Sequence, residues 1–301
     1  MDGLGRERFY EMKKIVRGLQ MIALILLIIL GVSAIGERVF SGDDAYSSEY
    51  IYVIDRESQS IMLEKNAKEK AYPASLTKMM TTLVALEKID DLAAIAPIDV
   101  DTYKEMVAQG SSMAGFYGRE TTTYRDLLYG TMLSSGGEAA NSLAINLAGD
   151  IDTFVKLMNQ KADEIGLKDT HFTNPEGLHN SKQVTTAYDM ALLVDYALQN
   201  NDFRAIMTRR YFTTSSTLDH PEGIILESTV LSKVPHHEIT DFEIIGGKSG
   251  RTYEAGNCWA VVGTKDGKEY ISIVMGAGLD DSTTQTDGHI SDTLNIFAEM
   301  N

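Results

Sequence analysis

The sequence predicts an α+β fold: an antiparallel sheet flanked by helices, with an all-helical lobe, preceded by an N-terminal membrane segment. Runs of β-branched and aromatic residues lie near both ends of the chain, at 50–65 and 258–275. Between them, apolar residues recur at helical spacing, most clearly over 124–133 and 185–199. Asp266-Gly267 separates two apolar runs and indicates a hairpin. Strands at both ends with helices between them are typical of α+β domains.

The N-terminus resembles a membrane-targeting segment. Residues 1–18 carry five lysines and arginines, and residues 19–35 are almost wholly apolar. A basic flank before an apolar run leaves the basic end in the cytoplasm, so 1–18 is predicted to be cytoplasmic. Two interpretations remain for 19–35: an uncleaved transmembrane signal anchor, or a signal peptide cleaved after Val32-Ser33-Ala34. In both cases the rest of the chain works outside the cytoplasm, either at the outer face of the cell membrane or secreted to the cell wall.

A polar linker over 36–48 follows, and residues 49–301 form one predicted catalytic domain. Within this domain 90–118 is expected to be mixed and loop-rich, and 134–137 breaks two helices. The other elements are predicted in this order: strands over 50–55 and 60–65, a helix from Ser75, helices over 124–133, 138–147, 151–165 and 185–199, strands over 211–217 and 224–230, a strand over 244–248 that runs into a turn, a hairpin of 258–265 with 268–275, and a closing helix over 286–300.

Composition limits the classes of function. The chain has 301 residues, 44% of them hydrophobic, and a formal net charge of −16 with a pI near 4.8. Such a surface repels phosphates, so nucleic acid is not an expected partner. The single cysteine, Cys258, lies in an apolar run and is interpreted as a small core residue. No metal-binding motif is present among the six histidines, so neither a metal nor a cofactor is expected.

The pair Ser75 and Lys78 is the first candidate for chemistry. The two residues are three apart at the start of a predicted helix, so they share one face. A hydroxyl beside an amine can act as nucleophile and base if the helix dipole and nearby cations keep the amine neutral. Alone, Ser-x-x-Lys is a weak signal, and the alternative is a helix cap followed by a surface lysine.

Two further short motifs strengthen that signal. Ser135-Gly136-Gly137 lies in the break between two predicted helices, and Lys248-Ser249-Gly250 lies at the end of a predicted strand. Each motif alone is a weak signal of catalysis, because Ser-Gly-Gly is more often a simple helix break and Lys-Ser-Gly is more often a simple turn. Their order after Ser75-x-x-Lys78 is what makes the set specific.

With these motifs the chain resembles the serine D-alanyl-D-alanine carboxypeptidases, which are low-molecular-mass penicillin-binding proteins of the β-lactamase/transpeptidase-like superfamily. That family has Ser-x-x-Lys, Ser-x-Asn and Lys-Thr-Gly or Lys-Ser-Gly in this order. The resemblance runs from about Tyr50 to the C-terminus. It includes further segments in addition to the three motifs: 72–79, 126–130, 172–179, 185–189 and 247–256.

The resemblance implies a role for each motif residue. Ser75 attacks the carbonyl between two terminal D-alanines, and Lys78 accepts its proton as general base. Ser135 relays a proton to the leaving amine. Lys248 adds positive potential that helps to keep Lys78 neutral and attracts the substrate carboxylate.

The resemblance also implies a set of groups that bind substrate. The residues expected to contact it are Gly137, Ser249, Gly250 and Arg251. Among these, Ser249 would hydrogen-bond the terminal carboxylate, and the backbone N–H groups of Ser75 and Arg251 would form the oxyanion hole. The expected partners are the peptidoglycan stem peptide, β-lactams that acylate Ser75, and the membrane through the N-terminal segment. Because no β-domain or C-terminal anchor is expected before Asn301, an uncleaved N-terminal tether is somewhat favoured.

The chain departs from the family at Gly137, where the second motif should end in Asn. Gly137 offers only backbone. Asn141, one turn later, is a candidate to substitute in part for the missing amide, but a solvated helix position is the preferred interpretation. This departure motivates one alternative, a catalytically impaired or non-catalytic wall-binding protein.

A second alternative is a serine β-lactamase, which needs a carboxylate to activate the deacylating water. Glu176 and Asn180 have suitable residue types four apart. However, Glu176 occupies a variable place in an Asn-Pro-x-Gly-Leu segment that the carboxypeptidases already explain. It is therefore predicted to be a surface loop residue, and the carboxypeptidase is preferred.

Overall fold

The computed structural model describes residues 45–234, 241–279 and 287–300. The predictions for 1–18 and 19–35, and for residues 36–44 of the linker 36–48, fall on residues outside these ranges. Among the described residues, no helix combines the length and the apolar character needed to cross a bilayer.

The described residues form nine strands and eight α-helices. The strands are β1 (Tyr50–Asp55), β2 (Ile61–Lys65), β3 (Ile95–Pro97), β4 (Thr121–Thr123), β5 (Tyr211–Thr213), β6 (Ile225–Glu227), β7 (Phe242–Thr252), β8 (Gly256–Lys265) and β9 (Lys268–Ala277). The helices are α1 (Thr77–Lys88), α2 (Val100–Ala108), α3 (Tyr124–Met132), α4 (Gly137–Ala148), α5 (Ile151–Glu164), α6 (Ala187–Ala197), α7 (Asn201–Met207) and α8 (Gly288–Glu299).

A five-stranded antiparallel sheet, in the order β2-β1-β9-β8-β7, joins the two ends of the described chain. The predicted β8–β9 hairpin is confirmed, and both turn residues, Asp266 and Gly267, have positive φ (51° and 77°) as a tight hairpin turn requires. β1 alternates between two cores: Ile51 and Val53 face the core that also contains residues of α8, whereas Tyr52 faces the core shared with the other helices. The α+β prediction is therefore confirmed.

The helical lobe is built around α1, which contacts α3, α4, α5 and α6. Ten of its twelve residues are buried, including several threonines. The lobe is not all-helical as predicted, because β3 and β4 pair within it and contact α4 and α3. These short strands have few side chains, so their alternation is too brief to be visible in the sequence.

Two helices were absent from the prediction. α2 lies within the stretch expected to be loop-rich, and it is capped by the Asp99 side chain, which accepts from the Thr102 N–H. Only Thr102 and Met106 of this helix are buried, so its apolar periodicity is weak. The second, α7, has seven residues and an Asn200 cap.

Three strand predictions need correction. The strands expected over 211–217 and 224–230 are only three residues each and form their own two-stranded sheet. The strand expected to end at Lys248 in a turn instead continues to Thr252. Pairing of β7 with β8 through the motif, with Lys248 opposite Ala260, extends this strand. The pairing partner lies elsewhere in the sequence, so local turn signals did not reveal it.

Candidate active site

Ser75 lies in a single 3-10 turn, 74–76, that leads directly into α1. Pro73 precedes this turn, and its carbonyl accepts a hydrogen bond from the Leu76 N–H at 3.0 Å. Ala74 has φ of +45°, a left-handed conformation that costs energy for a residue with a Cβ. The backbone is therefore strained immediately before Ser75, as is common where a side chain must be held in one place.

Lys78 points back at Ser75 from the first turn of α1. Its Nζ donates to Ser75 Oγ at 3.2 Å and also to the backbone carbonyl of Glu176. The lysine is 1% exposed, and this burial lowers its pKa to about 8, while the nearby Glu176 and Glu138 carboxylates oppose the shift. Loss of solvation, rather than the helix dipole and neighbouring cations proposed from the sequence, is the main reason that the amine can be neutral.

Ser135 and Lys248 form a second buried pair. Lys248 Nζ donates to Ser135 Oγ at 2.9 Å and to the Ser249 carbonyl at 2.7 Å. Ser135 has φ of +60° in the break before α4. Burial, and then the positive charge of Lys78, hold the pKa of Lys248 well below its ordinary value. The two lysines therefore affect each other electrostatically, and the sequence prediction that they belong to one site agrees with this.

β7 lies against the turn that carries Ser75. A Cβ atom on Gly250 would come within 3.1 Å of the Ser75 nitrogen and 3.2 Å of the Leu76 nitrogen. Glycine at this position allows the edge strand to approach the Ser75 N–H closely. Ser249 Oγ donates to Thr229 Oγ1 at 2.7 Å, and the Arg251 residue is exposed. Thr229 is a neighbour of the site that the sequence analysis missed, because no motif marks it.

Gly137 begins α4, and the space beside it is filled. A Cβ atom there would meet Ser111 Oγ at 2.4 Å and Met106 Sδ at 2.9 Å. An asparagine at this position would therefore require neighbouring side chains to move. The prediction that Asn141 is solvated is wrong, because this residue is only 3% exposed.

The prediction that Glu176 is a surface loop residue is also wrong. The residue is 6% exposed, and burial raises the pKa of its carboxyl to about 7. Its loop is folded inward by hydrogen bonds from the Gly177 N–H to Asn174 Oδ1 at 2.8 Å and from Gln183 Nε2 to the same oxygen at 3.0 Å. Asn180, which the β-lactamase alternative paired with Glu176, is exposed.

Other reactive groups lie apart from this chemistry. Burial raises the pKa of the Cys258 thiol to about 12, so this cysteine is a core residue as predicted and not an activated nucleophile. Within the described ranges, no group of three or more His, Cys, Asp or Glu side chains is placed to hold a metal ion.

Comparisons with known proteins identify the family to which the sequence is similar. A family model described as D-alanyl-D-alanine carboxypeptidase, peptidase family S11, matches residues 38–278. DacF of Bacillus subtilis, a D-alanyl-D-alanine carboxypeptidase, is 28% identical over 233 residues, which is 77% of this chain and 58% of that protein. DacB2 of Mycobacterium tuberculosis, also a D-alanyl-D-alanine carboxypeptidase, is 30% identical over 226 residues, covering 74% of this chain and 72% of that one.

The comparison with solved structures finds a similar fold in a related class of enzyme. A mutant of the Streptomyces K15 DD-transpeptidase superimposes with a TM-score of 0.75 at 26% identity, over 84% of this chain and 97% of that one. The match to DacF leaves much of that longer protein uncovered, since the chain spans 58% of its length. The family model covers most of the chain, including all three motifs. This chain therefore belongs to the D-alanyl-D-alanine carboxypeptidase family, peptidase family S11.

Proposed function

We propose that this chain is a serine D-Ala-D-Ala carboxypeptidase that removes the terminal D-alanine from peptidoglycan stem pentapeptides. The observation that carries the proposal is the arrangement of two buried lysines, each donating to a serine hydroxyl: Lys78 to Ser75 and Lys248 to Ser135. A buried amine with a lowered pKa is the base that a serine nucleophile needs near neutral pH. Family membership supports the same reaction.

The chemistry follows from these contacts in two stages. Neutral Lys78 takes the Ser75 proton as Oγ attacks the carbonyl between the D-alanines. The peptide C–N bond then breaks, the leaving nitrogen receives a proton through Ser135, and D-alanine departs, leaving an ester on Ser75. Water hydrolyses that ester, which restores the hydroxyl and releases the shortened peptide.

Substrate binding is assigned to β7 and the turn at Ser75. Lys248 supplies positive potential for the terminal carboxylate, and Ser249 Oγ donates to it after release from Thr229. The Ser75 and Arg251 N–H groups form the oxyanion hole, which is supported by the close approach of Gly250 to the Ser75 nitrogen. Because β7 is an edge strand, it has one side on which an extended peptide can lie. β-Lactams acylate Ser75 because they imitate the acyl-D-Ala-D-Ala end.

Labelling with a fluorescent penicillin and release of D-alanine from diacetyl-Lys-D-Ala-D-Ala test the proposal. We expect covalent labelling of the wild-type chain and loss of both signals in Ser75→Ala. Ser58→Ala, a change at an exposed serine after β1, is the matched control and keeps both signals. Labelling that persists in Ser75→Ala would show that the nucleophile is another residue.

A serine β-lactamase is the second candidate, and the buried Glu176 near Lys78 is the observation that favours it. A carboxylate there is a possible base for hydrolysis of a penicilloyl ester. Nitrocefin separates the two activities: the carboxypeptidase forms a long-lived adduct, whereas a β-lactamase turns the substrate over rapidly. The impaired wall-binding alternative predicts neither labelling nor D-alanine release in the wild-type chain.

We also propose that the site works outside the cytoplasm, at the membrane or in the cell wall. The basic residues in 1–18 and the apolar run 19–35 support this placement. The N-terminal sequence of the protein purified from membranes distinguishes anchor from leader: Met1 indicates an anchor, and a start after Ala34 indicates cleavage. Recovery of the full chain in the cytosolic fraction alone would contradict both.

A further inference from the structure

The Thr229 side chain contacts the third motif although it lies 20 residues before Ser249 in the chain. Ser249 Oγ donates a hydrogen bond to Thr229 Oγ1 at 2.7 Å. The Ser249 carbonyl accepts a hydrogen bond from Lys248 Nζ at 2.7 Å, so the pair of hydroxyls belongs to the residue next to the buried amine and to its neighbour. Thr229 and Ser249 are only partly buried, which leaves part of each residue accessible to a ligand.

The backbone around Thr229 is held on both sides. The residues before and after it, Ser228 and Val230, are buried. The Thr229 N–H donates to the Leu133 carbonyl at 3.1 Å, in the segment that leads to the second motif. Val230 packs against β7, since a Cβ atom on Gly247 would lie 3.1 Å from Val230 Cγ1. The Thr229 hydroxyl is therefore fixed in position between the second and third motifs.

The Thr229 hydroxyl has a donor to offer. A hydroxyl group carries one O–H donor and two acceptor lone pairs. In its hydrogen bond with Ser249, Thr229 Oγ1 is the acceptor, so its own proton is not used there. Among the residues that the structure describes, Thr229 Oγ1 donates no hydrogen bond. A ligand that brings an acceptor to this place can therefore take up both hydroxyl protons.

The two hydroxyl oxygens are spaced to suit a carboxylate. They lie 2.7 Å apart, and two donors side by side can each bind one oxygen of the same carboxylate group. Lys248 Nζ, which adds positive charge, already donates to Ser135 Oγ at 2.9 Å and to the Ser249 carbonyl. Two of its three donors are thus in use. Direct hydrogen bonds to a carboxylate at this end of the site fall mainly to the hydroxyls.

We propose that Thr229 is a specificity-determining residue that donates to one oxygen of the terminal D-alanine carboxylate while Ser249 donates to the other. This inference rests on the carboxypeptidase function proposed above. When the substrate binds, the hydrogen bond between the two hydroxyls breaks and each hydroxyl turns its proton toward the carboxylate. A neutral end group gains less from the same two donors, because hydrogen bonds to a charged acceptor are stronger.

Thr229→Val tests this inference, because valine has a similar shape and no hydroxyl. Two substrates are compared: diacetyl-Lys-D-Ala-D-Ala, and the same peptide ending in D-alaninamide. We expect kcat/KM on the acid to fall by about 10- to 100-fold, the effect of one hydrogen bond to a charged group. The loss should lie mainly in KM, because the contact is made in the ground state and in the transition state alike. The amide should lose less, so that the preference for the acid falls by about tenfold.

Two further variants complete the experiment. Thr229→Ser keeps the hydroxyl and should keep the preference for the acid over the amide. Thr213→Val, at an exposed position on β5, is the matched control and should leave kcat/KM on both substrates unchanged. Equal losses on the two substrates in Thr229→Val, with the preference for the acid unmoved, would mean a merely structural role and would overturn the inference.

Faster reaction of the acid in Thr229→Val would also overturn the inference, because Thr229 would then only restrain Ser249 in the empty site. Either of these results, with wild-type D-alanine release and penicillin labelling intact, leaves the carboxypeptidase function standing. Absence of both signals in the wild-type chain would contradict that function and this inference together.

Discussion

At the scale of single residues, the site depends on the burial of two lysines. Lys248 is fully buried and Lys78 is 1% exposed. Burying an ammonium is costly, and the protein reduces this cost by favouring the neutral amines. The same desolvation that would destabilise an ordinary core makes Lys78 suitable as a proton acceptor for Ser75.

Lys78→Arg separates this explanation from a simple need for a cation. Arginine keeps the positive charge but does not lose its proton in proteins, so it cannot accept the one from Ser75. We expect penicillin labelling to slow by about 100- to 10,000-fold. Lys182→Arg, at an exposed position, is the control and should label like wild type. Unchanged labelling in Lys78→Arg, in protein whose circular dichroism matches wild type, would exclude Lys78 as the base.

At the scale of elements, the start of α4 explains the glycine in the second motif. The first residues of α4 contact α2 and the segment after it. The Gly137 N–H donates a hydrogen bond to the Ser112 carbonyl at 2.8 Å. Glu138 fixes the same junction, since its carboxylate accepts from the N–H groups of Ala114 and Gly115. A side chain at position 137 would require the Ser111 and Met106 side chains to move. Glycine here is a consequence of how two elements pack, not merely the loss of a functional amide.

Gly137→Ala is expected to destabilise the fold by about 1–3 kcal/mol, because the added methyl overlaps Ser111 Oγ and Met106 Sδ. Urea unfolding monitored by circular dichroism measures the change. Adding Ser111→Ala removes the closest atom, so the double variant should recover part of the loss. Ser111→Ala alone is the control. If the double variant is no more stable than Gly137→Ala, the steric explanation is wrong.

At the scale of the whole molecule, contacts between residues far apart in sequence complete the sheet and fix the segment before β1 to α8. β1 pairs with β9, and the first described residues are tied to α8 through Asp292. The Asp292 carboxylate accepts four hydrogen bonds, from the backbone N–H and hydroxyl groups of Ser47 and Ser48. The segment before β1 is thereby fastened to α8, which packs on the sheet face opposite α6.

Asp292→Ala should therefore loosen both ends together. Four donors lose a buried charged acceptor, and we expect a loss of about 2–4 kcal/mol in the free energy of unfolding. Denaturant titration gives the value, and hydrogen exchange should show faster exchange at the N–H groups of Ser47 and Ser48. Asp219→Ala, at an exposed position, is the control. A change of less than about 0.5 kcal/mol, the size expected for ordinary surface substitutions, would contradict this role.

The sequence by itself determined the α+β class, the β8–β9 hairpin and the motif residues. These depend on local signals: apolar periodicity, the Asp266-Gly267 turn, and short motifs in a fixed order. The hydrogen bonds from Lys78 to Ser75 and from Lys248 to Ser135 agree with the roles proposed for these motifs. Spacing alone predicted that Ser75 and Lys78 lie next to each other, although Ser75 belongs to the 3-10 turn before α1 and not to the helix itself.

Only the tertiary structure decided the environment of the motifs. Glu176 and Asn141 have polar side chains in a turn-rich segment and on a helix, so both were predicted to be exposed. Packing of the 174–178 loop and of α4 buries them, and the Glu176 carbonyl accepts a hydrogen bond from Lys78. The course of β7 through Lys248, and the filled space beside Gly137, likewise come from partners distant in sequence. Burial and close packing are properties of pairs of elements, and pKa values follow burial, so no local pattern contains them.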